Sequence, residues 1–198
     1  FSKPQAFHHQ AFSRSGGIAG IISLNIFFVI HYLLYSKILY EYIFISLIMF
    51  LVGFIDDVKI KIQPLKRLSL MIFFLSFFIY FFHIKIFNID IFFLVSYLQN
   101  HIFSTLFVLL CLLFIINGAN LIDGFNGLLA IHLIIINIIL TFINISSGNI
   151  EFSTFLISQI IILISFLLFN FPNAKIFLGD SGSYLMGSLV ALNTIITN

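Results

Sequence analysis

Two adjacent carboxylates, Asp56 and Asp57, stand in the stretch "FIDDVK", where the apolar run "SLIMFLVG" ends. Like charges side by side at the rim of an apolar segment are costly unless a cation or a set of donors meets them there. Two more polar clusters follow, "NGANLIDGFNG" over 117–127 and "NAKIFLGDSGS" over 173–183. Together the three pieces hold Asp56, Asp57, Asp123 and Asp180, more than half of the seven acids in the chain. Hard divalent cations take oxygen ligands. Mg2+ typically uses one or two carboxylates, keeps several waters and completes its shell with substrate phosphates. Asp180 with Asn120 or Asp123 supplies such a half-shell. Asn117, Asn120 and Asp123 are spaced by three, so on a helix each is turned by about 60° from the last and they share one broad face. Gly124 and Gly127 let the backbone turn or a ligand approach. In "GDSGS", Gly179 and Gly182 bracket the acid, Ser181 and Ser183 offer hydroxyls, and backbone N–H groups at the start of the next helix suit a phosphate. A diphosphate bridged by Mg2+ fits between these pieces.

The elements that must position them are membrane spans. The chain has 198 residues, 61% hydrophobic and 8% charged, with a mean hydropathy of +1.19, far from the composition of soluble domains. Crossing a hydrocarbon core takes roughly 20 mainly apolar residues. Such stretches run over 16–36, 38–55, 68–84, 101–117, 127–145 and 151–169, with a further start at 184. The expected fold is an all-α, polytopic transmembrane bundle of about seven spans. It forms a single integral membrane domain over 1–198 that is incomplete at both ends, because the chain opens on Phe and its last span is short. The segment 86–98 is too short to span and carries Asp90, so it reads as interfacial or re-entrant. Strict alternation puts Lys3, Arg14, Lys59, Lys61, Lys66, Arg67 and Lys175 on one side and only Lys37 and Lys85 on the other. The positive-inside rule makes the first side cytoplasmic. All three polar clusters fall on it, which turns three separate loops into one expected site.

The segments "GFIDDVK", "NGANLIDGFNGL" and "NAKIFLGDSGSYLMG" resemble, in order and spacing, the signature segments of the polyprenyl-phosphate N-acetylhexosamine-1-phosphate transferases, glycosyltransferase family 4. The resemblance covers most of the chain, from Gly16 and Gly17 to the "LGDSGS" block. It implies a Mg2+-dependent enzyme, with Mn2+ as a substitute. The phosphate of a lipid carrier, undecaprenyl phosphate, would attack the β-phosphorus of a UDP-amino sugar and release UMP. By the family pattern Asp56 and Asp57 are catalytic and sit beside the lipid phosphate, with Asp56 orienting it. Asn120 and Asp180 match the metal ligands. Asn117 and Asp123 line the nucleotide-sugar side, Lys66 matches a basic position that holds phosphate, and Gly179 and Ser181 contribute to substrate binding. The implied partners are the polyprenyl phosphate, the UDP-sugar and membrane lipids, with room for a homodimer. The implied location is a bacterial inner membrane, with the active site facing the cytoplasm.

The sequence departs from the pattern in places. "AFHHQAFSRSGG" keeps His9 but has Ser13 where the family often has Pro, and "DGFNG" has Asn126 where many bacterial members have Asp. "DDVKI" lacks the Lys spacing of the peptidoglycan branch. These departures lean toward an enzyme that starts a surface polysaccharide, O-antigen or a related glycan. Phospho-N-acetylmuramoyl-pentapeptide transfer, the peptidoglycan reaction, is the alternative. A secondary transporter, whose polar site would lie near the bilayer midplane, is a remote reading of another class, because these acids stand at span ends. A net charge of +2 and no basic aromatic patch give no support to a nucleic-acid partner. His31, His83, His101 and His132 lack metal-ligand spacing and read as packing or interface residues. Cys111 lies inside a span and reads as a small buried hydrophobe.

Overall fold

The structure is a computed structural model that describes residues 13–58, 63–86, 89 and 91–198. Lys3, His9, Lys59, Lys61 and Asp90 lie outside the described residues. Eight helices follow one another among those described: α1 (Gly16–Tyr35), α2 (Tyr40–Asp57), α3 (Pro64–Phe82), α4 (Phe92–Leu98), α5 (His101–Ile122), α6 (Leu128–Ser146), α7 (Ile150–Asn170) and α8 (Gly179–Thr197). The helix starts follow local chemistry. Pro64 occupies the first turn of α3, where its missing N–H costs nothing. The Asn100 side chain accepts from the amides of Ile102 and Phe103 to cap α5, and Asn149 caps α7 through the amide of Phe152. The segment expected to lie at the interface forms only the seven-residue α4.

The chain is a multi-pass helical membrane bundle. Among the described helices α1, α3, α5, α6 and α7 are long and apolar enough to cross a membrane. Their outward faces carry large apolar side chains such as Phe114, Leu168 and Tyr80, each more than 70% exposed, which suits lipid and not water. Helices also occupy the other two expected spans, α2 and α8, but both are interrupted by polar residues. α2 carries Glu41, Asp56 and Asp57, and α8 is diluted by Gly, Ser and Asn. Two boundaries move relative to expectation. α5 runs on through Asn117 and Asn120, and α8 begins at Gly179, so the "GDSGS" residues form its first turn instead of a loop before it.

α8 is the centre of the bundle. It is buried almost all round from Gly179 to Asn193 and packs against α1, α2, α5 and α6. Its small residues allow this, because helices in lipid associate through close van der Waals approach and not through water exclusion. The tightest approach is to α2 at Gly53, where an added Cβ would fall onto the backbone of Asp180 and Ser181. α1 is tied to the segment entering α8 by backbone pairing. The amides of Gly16 and Gly17 donate to the carbonyls of Phe177 and Leu178 at 3.0 Å, and the amide of Phe177 donates to Ser13 at 3.0 Å. At the opposite end of the bundle, Lys37 and Glu151 pair at 3.0 Å, and the buried His31 meets the Lys37 carbonyl through Nδ1 at 3.3 Å. His31 is therefore a polar link between α1 and the turn that follows it, not only a packing residue.

Gly53→Ala is expected to destabilise the protein by about 1–3 kcal/mol, the usual cost of overpacking a tight contact. Gly118→Ala, where an added Cβ meets nothing within 4 Å, should leave the thermal midpoint in detergent unchanged or slightly raised. Equal midpoints for the two variants would show that the α2–α8 approach is looser than described.

Candidate active site

The ends of α2, α5 and α8 that carry the acids meet at one end of the bundle. Asp56 and Asp57 close α2, Asp123 follows α5, and Asp180 lies in the first turn of α8. Asp56, Asp57, Asn120, Asp123 and Asp180 converge, as the three-loop reading requires. Their position at helix ends, not mid-span, removes the motive for the transporter reading. Two connections are also stitched to each other. Asn126 donates to the carbonyl of Pro172 at 2.9 Å, the Gly127 amide donates to Asn170, and Asn170 donates to Ile176 at 2.8 Å.

The adjacent acids have different surroundings. Asp57 faces inward, with its side chain only 6% exposed. Its carboxylate accepts from the backbone amides of Asp180 at 3.1 Å and Ser181 at 2.9 Å, and from the Ser181 hydroxyl at 2.6 Å. Arg14, at 3.3 Å, covers it from the α1 side. The N-terminus of α8 is an anion site, as "GDSGS" suggested, but the anion is the chain's own. Gly179 belongs to the same cradle. Its φ is +74°, and a Cβ there would stand 2.6 Å from the Asp57 carboxylate. Gly179 and the fully buried Ser181, expected to contribute to substrate binding, lie against Asp57. The same contacts join Asp57 to the first turn of α8.

Asp56 faces Arg67. One guanidinium nitrogen of Arg67 lies 2.8 Å from Asp56 Oδ2 and 3.3 Å from Asp180 Oδ2, and the group sits 5.5 Å from the centre of the Tyr184 ring. Such a cation over an aromatic face is held in place without losing its charge. Asn120 closes the other side of Asp180, donating to Oδ1 at 3.1 Å and to the Ser183 hydroxyl at 2.8 Å. Lys66, expected to hold phosphate, is exposed and makes no ion pair among the described residues. The cation at the acids is its neighbour, because one step along α3 turns a side chain by about 100°. Arg67 and Arg14 pair with the acids, whereas their sequence positions signal only topology, each lying on the same side as the acids. Asn117 shares the face of Asn120 but bonds the carbonyl of Leu113 within its own helix at 2.8 Å.

Asp123 is half-buried, and its carboxyl is pushed up to about 8. Burial is the main cause, the charges of Asp180 and Asp57 add to it, and Arg14 partly offsets them. Oxygen donors crowded until one holds its proton are the donor set that a hard divalent cation relieves. No cluster of three or more His, Cys, Asp or Glu forms a protein-only metal site among the described residues. The set therefore fits Mg2+ held by one carboxylate and an amide, with water and phosphate completing the shell.

The model of glycosyl transferase family 4 matches residues 39–198. A phospho-N-acetylmuramoyl-pentapeptide-transferase of Wolbachia sp. subsp. Drosophila simulans is 33% identical over 165 residues, covering 78% of this chain and 51% of that protein. One from Streptococcus thermophilus (strain CNRZ 1066) is 29% identical over 161 residues, covering 77% of this chain and 47% of that protein. One from Leuconostoc mesenteroides is 41% identical over 80 residues, covering 40% of this chain and 25% of that protein. The chain spans about half the length of the first two. These names overturn the expectation of an enzyme that starts O-antigen or a related surface polysaccharide. The signs used for that reading were weak for a physical reason. Asn126 is a strut between two loops, so its identity reports loop packing and not the sugar.

Two outcomes follow from this geometry. Asp57→Ala, which strips the partner from two backbone amides, is expected to cost about 1–3 kcal/mol per buried donor left unpaired, read as a lower thermal midpoint. In the metal-free protein the Asp123 carboxyl should be protonated at neutral pH and ionise near 8. The infrared band of a protonated carboxyl should then fade through that pH and be missing in Asp123→Asn. Because the folded chain holds this proton more tightly than the unfolded one, stability should fall as pH rises from the ordinary carboxylate range toward 8.

Proposed function

The chain belongs to glycosyl transferase family 4, and on that premise we propose that it transfers phospho-N-acetylmuramoyl-pentapeptide from a UDP-linked donor to a polyprenyl phosphate in a bacterial inner membrane. The observation that carries this reading is the meeting of Asp56 and Asp180 at the Arg67 guanidinium, with Asn120 donating to Asp180 from the other side, at one end of the bundle. The names of the curated relatives support a sugar-peptide donor over a simple UDP-amino sugar. The excess of basic residues on the same side supports a cytoplasmic site.

In this mechanism an oxygen of the lipid phosphate attacks the β-phosphorus of the donor. The bond from that phosphorus to the bridging oxygen breaks, and UMP leaves with the electron pair. The nucleophile is already largely ionised near neutral pH, its second pKa being roughly 6. Asp56 therefore orients it through the charge pattern around Arg67 and has little need to remove a proton. Asp180 and Asn120 would hold Mg2+, whose chemistry is to neutralise phosphate oxygens as charge builds on the leaving group. Arg67 exchanges a carboxylate partner for a phosphate oxygen, while the Tyr184 ring keeps its guanidinium in place. Asp123 lines the donor side and tunes its charge by protonation. Asp57 performs no step and maintains the α8 terminus on which Asp180 stands.

The direct test is UMP release by the full-length protein in membranes with added undecaprenyl phosphate. Release with UDP-N-acetylmuramoyl-pentapeptide and none with UDP-N-acetylglucosamine is expected, and the reverse preference would overturn the reading. In the same assay Arg67→Ala should lower kcat/KM by about 100-fold or more, as for loss of an aligned charge at a phosphate. Lys66→Ala should stay within about twofold, the range of an ordinary surface substitution. Asp180→Asn should abolish turnover and its Mg2+ dependence. A strong Lys66 effect without an Arg67 effect would reassign the phosphate-binding cation.

A further inference from the structure

Far from the acids, the bundle buries a second polar group that the transfer reaction does not use. Asn137 of α6, Gln159 of α7 and Asn193 of α8 are 0%, 1% and 0% exposed. Asn193 is the hub. Its amide nitrogen donates to Asn137 Oδ1 at 3.0 Å and to Gln159 Oε1 at 2.8 Å, and its oxygen accepts from Gln159 at 3.4 Å. Asn137 Nδ2 is buried with no hydrogen-bond partner. A second contact continues the seam toward the end of α8, where Asn144 donates to Thr197 at 2.9 Å. Buried amides in a membrane bundle are expensive unless paired, and this group leaves one donor unpaired, so packing alone is a poor reason for it.

The physical demand comes from α8 itself. Its buried surface interleaves Gly182, Ser183 and Gly187 with the larger Tyr184, Leu185 and Leu189, and to this non-directional packing the amide hub adds directional contacts that one register alone makes. Sliding by one residue would shift the helix about 1.5 Å and turn it about 100°. Asn193 would then face apolar neighbours and lose its partners. Asn193 stands thirteen residues after Asp180, about 20 Å along the helix. One end of α8 is thus held by Asp57 and Asn120, and the other by the amide hub.

We propose that Asn193, gripped by Asn137 and Gln159, is a positioning residue that fixes the register and rotation of α8 and so sets the placement of Asp180 in the transfer site. The functional part of this proposal rests on reading Asp180 as facing the reacting phosphates. The test uses the full-length protein with Asn137→Leu, Gln159→Leu and Asn193→Leu combined, because removing all partners together leaves no orphaned amide. A merely structural network would then be dispensable. The expected result is a thermal midpoint close to wild type, kcat lower by about tenfold or more with little change in the KM of the UDP-linked donor, and faster amide hydrogen exchange over 179–185. Wild-type kcat and exchange in the triple variant would overturn the proposal. If the triple variant does not accumulate, Asn137→Leu alone takes its place, removing one of the two grips on Asn193 together with the unpaired donor. Faster exchange over 179–185 is again expected, and unchanged exchange overturns the proposal. Asp180→Asn is the control for the underlying reading: if it retains turnover, the transfer-site assignment fails, while exchange over 179–185 still decides the register.

Discussion

The structure depends on one buried carboxylate. Asp57 is placed by α2 against the first turn of α8, where two backbone amides and a hydroxyl meet it. A helix N-terminus offers unpaired N–H groups and a partial positive charge, and a carboxylate among apolar helices needs both. Neither group is stable there without the other. Arg14 supplies the full charge that a helix end lacks, and the pairing of Ser13, Gly16 and Gly17 with 177–178 keeps α1 at the same place. The consecutive α1 and α2 and the distant α8 are thereby fixed around one residue.

That commitment explains why the chain carries two aspartates in a row. Neighbours on a helix point about 100° apart, so when Asp57 turns into the α8 terminus, Asp56 is turned into the cleft. The carboxylate in the cleft then shares Arg67 with Asp180. Separating an acid that meets the α8 terminus from one that meets Arg67 takes only a single residue of sequence. The price appears as repulsion, and Asp123, facing both Asp57 and Asp180 while half-buried, keeps its proton to near pH 8. An arrangement that strains its charges in this way is suited to a cation and phosphates that relieve them.

The lipid environment shapes the remaining features. Large apolar side chains face outward because nothing outside them is polar, and the inside adds small residues and a few amides to a core of large apolar side chains such as Leu24, Phe78 and Phe155. α8 is the extreme case, buried on nearly every face yet among the less apolar helices. Polar contacts hold it at both ends, the acid-and-amide cluster at one and Asn193 at the other.

The sequence alone was enough to establish a membrane bundle, the places of its spans and the gathering of three polar clusters at one end. Each rests on local composition: apolar runs of spanning length, basic residues on one side, and acids where those runs stop. The family resemblance was legible for the same reason, since its residues lie in short contiguous segments. What each side chain faces was not legible. Asp56 and Asp57, or Lys66 and Arg67, are interchangeable by type, and only helix rotation against α8 decides that Asp57 caps, Asp56 lines the cleft, Arg67 joins it and Lys66 faces away. Gly179 and Ser181 kept their predicted liking for an anion, but tertiary packing chose which anion. The amides of Asn137, Gln159 and Asn193 are scattered through apolar runs, and only the packing of α6, α7 and α8 brings them to a single point.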